Sequence, residues 1–136
     1  MRAMKYWILA ALSVSLVGVT IAEEKADKKP ATIKEVMKKA HSAPKGEEKM
    51  CQKFAAGKLS EAEVKDLVAL YADLGKNKPP KGDEDSWKAK TSALAAAAKD
   101  LAANPKKEDS VAAYKKALDC MSCHSVHRPP PPPKDK

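Results

Sequence analysis

The sequence predicts an all-α fold, a four-helix bundle, and three observations carry that reading. Aromatic residues make up only 4% of the 136-residue chain, while alanine and lysine recur throughout; both of these lose little on entering a helix. Nowhere do apolar and polar residues alternate as they do in a half-buried strand, and the β-branched residues that strands favour are sparse. Apolar residues return instead at intervals of three and four, the period of one face of a helix. A chain of this length builds one core rather than two.

The N-terminus reads as an export signal. Met1-Arg2-Ala3-Met4-Lys5 is positively charged, Tyr6 to Ala22 follows without a charge, and Thr20-Ile21-Ala22 places small residues at the −3 and −1 positions of a cleavage site. Residues 1–22 are therefore expected to be a signal peptide cleaved after Ala22, with the mature chain periplasmic or otherwise exported. Left uncleaved, the segment lies at the short limit of a membrane span, and only then is a membrane a partner. Residues 23–31 (EEKADKKPA) are charged, lack periodicity and read as a flexible lead-in.

Thr32-Ile33-Lys34-Glu35 has the capping-box form and opens the first helix, with Ile33, Val36, Met37 and Ala40 at helical spacing. Pro44 breaks it, because a proline ring clashes with the preceding turn and offers no N–H. The helix is expected to resume from Gly46 to Ala56, with Met50, Cys51 and Phe54 on one face, and to stop at Gly57. Ser60-Glu61-Ala62-Glu63 is a second capping box. Behind it Val64, Leu67, Val68, Tyr71 and Leu74 form an amphipathic stripe that Gly75 should end, and 77–82 reads as a loop. A third helix is expected from Asp85 or Ser86, carrying Trp87, Leu94, Ala95, Ala98 and Leu101, and closed by Asn104-Pro105. Its Ala93–Ala98 run admits a close neighbour, either a helix or a flat ring. Asp109 or Ser110 should cap a fourth helix holding Val111, Tyr114 and Leu118 and running on to Arg128, before a Pro-rich tail at 129–136. The folded domain is thus 32–128.

Formal charge is +8, and removal of Arg2 and Lys5 with the signal lowers it to +6. Lysines are interspersed with acids and no basic stripe with interleaved aromatics exists, so nucleic acid is not an expected partner. The lysine surplus suits acidic partners. No nucleophile–base pair and no Gly-rich phosphate loop is present, so the chain is not expected to be an enzyme.

Near the C-terminus stands Cys120-Met121-Ser122-Cys123-His124. This is Cys-x-x-Cys-His, the c-type haem attachment signature. Two thiols three residues apart lie on adjacent edges of one helical turn, where each can add across one haem vinyl group. The histidine that follows then offers a neutral imidazole nitrogen to the iron. A thioredoxin-like reading requires a βαβ context that the chain lacks. For zinc, Cys120, Cys123, His124 and His127 fall at i, i+3, i+4 and i+7 on one helical face, whereas a tetrahedral ion draws ligands from two elements. One covalent haem c is the expected cofactor.

An exported helical chain with this motif near its C-terminus resembles the class II c-type cytochromes, the cytochrome c′ family. The resemblance spans Thr32 to Arg128 and rests on Cys120, Cys123 and His124. In that family the motif is followed by x-x-aromatic-Arg; here Arg128 matches, as a residue contacting the haem, while His127 replaces the aromatic. Family members lay the first helix across the other haem face. Six-coordinate electron carriers place a methionine there within Arg-x-x-x-Met-Lys, and five-coordinate gas-binding members place a bulky apolar side chain. In Ile33-Lys34-Glu35-Val36-Met37-Lys38, Met37 matches the methionine and Ile33 departs from the arginine.

The resemblance therefore implies electron transfer with redox partner proteins, with NO- or CO-binding as the alternative. Homodimers are common in the family. Met37 is the expected distal iron ligand and His41 the alternative, on the same face but roughly 6 Å along the axis, so only one stands over the iron. His127 is expected to be structural or to neighbour the haem edge, Trp87 to pack the core, and Cys51 to be a small buried hydrophobe.

Overall fold

The computed structural model describes residues 29–131. The expected signal peptide, most of the lead-in and the end of the Pro-rich tail lie outside these residues. The described part is all-α: α1 (Ile33–Ala40), α2 (Met50–Ala55), α3 (Glu61–Lys76), α4 (Glu84–Ala103), α5 (Glu108–Ala117) and α6 (Cys120–His127). None of these helices is long and apolar enough to cross a membrane.

Local chemistry sets most of the boundaries. Thr32 and Ser60 cap α1 and α3 as reciprocal boxes, the Glu35 and Glu63 carboxylates each accepting from the cap N–H at 2.8 Å. Gly57 ends α2 at φ 67°, in a turn where Lys58 N–H donates to Lys53 O and Gly57 N–H to Phe54 O, satisfying carbonyls that the helix end leaves bare. Pro44 falls in the non-helical stretch between α1 and α2, as its ring chemistry requires.

Five boundaries differ from expectation. Helix α2 starts at Met50 rather than Gly46, which takes a positive φ of 94° outside any helix. Gly75 does not end α3; it keeps a helical φ beside Thr91 of α4, and Asn77 closes the helix by donating its amide to Asp73 O at 2.8 Å. Asp83, not Asp85 or Ser86, caps α4, its carboxylate accepting from Ser86 N–H at 2.8 Å. Lys107 rather than Asp109 or Ser110 precedes α5. The fourth predicted helix is in fact two, since α5 stops at Ala117 and Asp119 starts α6 by accepting from the Met121 and Ser122 N–H groups at 3.1 and 3.2 Å. An aspartate that satisfies two exposed donors competes successfully with continuation of the helix.

The most extensive pairing is α3 against α4, then α4 against α5, with α1 laid on α3 and α2 wedged among α1, α3 and α5. Leu67, Tyr71, Trp87, Ala98, Leu101 and Tyr114 lead the core, which Val36 and Ala40 join from α1. Within it the Tyr71 and Tyr114 hydroxyls share a 2.9 Å hydrogen bond. The start of α1 is tied down at Ala31, whose N–H donates to Asp73 and whose carbonyl accepts from Asn77. The last residue of the predicted lead-in is thus fixed. Asn77 also offers its backbone carbonyl to the Trp87 indole at 2.8 Å, which sets the start of α4.

Among the described residues, helix α6 packs against α4 and no other helix. Its fastening is His127, which is 2% exposed, lies edge-on to Trp87 with ring centroids 5.3 Å apart, and uses both ring nitrogens, one on Lys81 O at 2.9 Å and one on Ser86 Oγ at 3.2 Å. Gly82, at φ 82°, lets the 77–82 loop pass directly under this helix end.

Two measurements check this account. Ser60→Ala should lower stability by about 1 kcal/mol at neutral pH. The backbone and hydroxyl of Ser60 hold the Glu63 carboxyl below its ordinary 4.5. That contribution is present above 4.5 and is lost as pH falls through the depressed value, so the gap between wild type and Ser60→Ala should shrink in acid denaturation series below pH 4.5. Gly82→Ala would bring a Cβ within 2.9 Å of Val126 O and 3.0 Å of His127 Nδ1. Together with the positive φ this should cost about 1–3 kcal/mol in chemical denaturation and loosen α6 more than α3 in hydrogen exchange.

Candidate functional site

Between α1 and α6, which do not pack on each other, lies a cavity of about 750 Å³. That volume is in the ~300–1,000 Å³ range of cofactor-sized sites. Its walls are mainly apolar. Ala93, Leu94 and Ala97 of α4, Ala113 and Ala117 of α5, and Leu74 of α3 supply much of the surface. In the Ala93–Ala98 run, from which a close neighbour, helix or flat ring, was expected, the short side chains of Ala93 and Ala97 line the cavity while Ala98 is packed in the core.

Three of the predicted residues arrive together from α6: Cys120, Cys123 and His124 all line the cavity. The break at Asp119 brings this about, because it starts a fresh helix in which the motif is the first turn. Cys120 is exposed, and its thiol donates weakly to Leu118 O at 3.4 Å; Cys123 is half-buried and packs against the core. Burial raises the Cys123 pKa above its ordinary value, against the opposing pull of the Lys90 ammonium. Neither thiol is in a disulfide.

From the other side come Met37 and His41. Met37 lies on the inner face of α1 and packs against the core. His41 is the C-cap of α1, with its N–H on Met37 O at 3.1 Å and its ring 5.7 Å from that of Tyr71. Burial, then the neighbouring His124 imidazole and the Lys49 ammonium, pull its pKa from 6.5 down to about 4. The ring is therefore neutral at ordinary pH. Its Nε2 is sealed from solvent and has no hydrogen-bond partner.

Cys51, from α2, also reaches this cavity, although sequence reasoning assigned it only to the core. It is buried as expected, and burial followed by the proximity of Cys120 raises its pKa, so it stays an unreactive thiol. Arg128 and His127 do not line the cavity. Arg128 is the exposed C-cap of α6, and His127 is spent on the α4 anchor. Asp119, the residue that starts the motif helix, was missed as a cap; an Asx residue before a short polar helix is the signal that identifies it. Trp87 is a packing residue, buried and bonded to Asn77.

The residues fit a covalently held haem. The cavity is large enough, two thiols and an imidazole line it from one helix, and His41, whose buried Nε2 has no partner, lines it from the other side. Among the described residues no three His, Cys, Asp or Glu groups converge as a metal cage would require. A porphyrin brings its own nitrogens and asks the protein for only one or two ligands. No family model matches the chain, and no curated protein or solved structure matches it.

Proposed function

We propose that this chain is an exported c-type cytochrome that carries one haem c and transfers electrons to and from partner proteins. The observation that supports the reading most directly is that Cys120, Cys123 and His124 form the first turn of a separate helix at the wall of a cavity of about 750 Å³. Cys120 and Cys123 would hold the haem by thioethers and His124 would ligate its iron. In each attachment the thiol sulfur bonds one vinyl carbon and its hydrogen ends on the other, with no net oxidation. Bound there, the haem supplies an iron that accepts and returns one electron.

The chain's own part is binding, orientation and exclusion of water. His127, bonded through both nitrogens, keeps α6 from rotating and so fixes which way the thiols and His124 face. Leu74, Leu94 and the alanine walls make the pocket lining mainly apolar, which lowers the local dielectric. An electron carrier rather than a gas binder is favoured because two donor-bearing side chains, Met37 and His41, line the cavity from the α1 side. A five-coordinate site calls for an apolar, non-ligating group there. The lysines around the mouth, Lys49, Lys90 and Lys116, suit an acidic partner surface.

Attachment tests the reading. Exported with haem-maturation machinery, the wild-type chain should gain the mass of one haem by two thioethers. Cys120→Ala and Cys123→Ala should each retain at most one thioether and mature in several-fold lower yield, while Cys51→Ala should mature normally. Mass spectrometry under denaturing conditions reads all four. A haem-bearing Cys123→Ala at full yield beside a haem-free Cys51→Ala would refute the assignment.

A further inference from the structure

The Met37 and His41 side chains both line the cavity wall, and the structure treats them differently. Met37 is accounted for by packing. It lies on the inner stripe of α1 between Val36 and Ala40 and touches the apolar core, where a thioether needs no polar partner. His41 is not accounted for in this way. Its Nε2 is buried without a donor or acceptor, a situation that costs free energy unless something binds the atom.

The nearest aromatic neighbour, Tyr71, has its hydroxyl committed to Tyr114 at 2.9 Å. The contrast with His127 is direct, because that buried imidazole has both nitrogens paired. The backbone supports the same distinction. Met37 belongs to the helix, whereas His41 is the cap where the chain leaves helical geometry, at φ −117° and ψ 3°. Its ring lies 5.7 Å from that of Tyr71, and the residue lines the cavity that His124 also lines.

We propose that His41, and not Met37, is the second axial ligand of the haem iron, so that the iron is held by two imidazoles, His41 and His124. The proposal rests on the haem c reading and goes further than it. It sets the chain apart from both branches of the family it resembles, the methionine-ligated carriers and the open gas binders. Met37 then serves as the packing residue that positions the end of α1. With both axial positions filled from within the chain, small gases are shut out and the site exchanges electrons only.

The test uses the full matured, haem-bearing chain. The ferric wild type should be low-spin, should lack the weak red sulfur-to-iron charge-transfer band, and should show the near-infrared magnetic circular dichroism of a bis-imidazole pair. Met37→Leu should leave all three unchanged. His41→Gly should become high-spin, its ferrous form should go from no carbon monoxide binding to stoichiometric binding, and added free imidazole should restore the low-spin spectrum. A red charge-transfer band that disappears in Met37→Leu overturns the proposal, as does a high-spin wild type or a His41→Gly variant that stays low-spin. The wild-type near-infrared spectrum decides between imidazole and thioether even if His41→Gly fails to mature. A chain that retains no covalent haem at all would instead remove the haem reading on which the proposal rests, and mass spectrometry makes that failure visible separately.

Discussion

The anchoring of His127 is the constraint on which the site depends. Helix α6 has only eight residues and one helical neighbour, α4. Isolated helices of that length are marginal in water, so its orientation has to come from tertiary contacts. Those contacts are concentrated in one imidazole, bonded at both nitrogens and set edge-on against Trp87, with Gly82 giving the loop room to pass. At the opposite end Asp119 supplies the start by accepting two backbone N–H groups. Clamped at both ends, the helix presents Cys120, Cys123 and His124 to the cavity and cannot roll them away from it.

Around this clamp the rest of the chain arranges an apolar chamber. The α3–α4 pairing provides its floor, and small residues on α4 and α5 keep it wide. Beneath it, the hydrogen-bonded pair Tyr71 and Tyr114 closes the core, and burial raises the pKa of both phenols, so they remain protonated. In the tyrosine pair and the His127 anchor every polar group has a partner, whereas among the described residues two buried side-chain atoms, His41 Nε2 and Ser110 Oγ, have none. Of these two residues His41 lines the chamber, and a haem bound there as proposed would give its nitrogen a partner. Without an occupant, a chain of few aromatics and many alanines has little apolar surface to offset the ordering cost of folding.

How much of this was legible in the sequence follows the range of the forces involved. The capping boxes at Thr32 and Ser60, the stop at Gly57 and the break at Pro44 are decided by residues within a turn of each other, and all were read in place. The membership of Cys120, Cys123 and His124 in one site was carried by their spacing alone, and the structure brings them to one cavity. Where the reading failed, distant partners decided. Gly75 stays helical because α3 continues along α4 to Asn77, whose carbonyl and amide serve Trp87 and Ala31. His127 was expected to be structural or to neighbour the haem edge, and it is structural, but its partners, Lys81 and Ser86, lie over 40 positions away, where helical spacing does not point. Arg128 followed the resemblance and lies exposed outside the cavity. Asp119 is the exception, a local signal overlooked because the apolar pattern of α5 ran up to it.

The central claim is that the chamber between α1 and α6 holds one covalent haem. The most direct measurement is the pyridine haemochrome spectrum of the exported chain after acid–acetone extraction, combined with protein quantitation and metal analysis. The account predicts a c-type spectrum that survives extraction, one haem and one iron per chain, and no stoichiometric zinc. Haem lost to the organic phase, or zinc in place of iron, would contradict it.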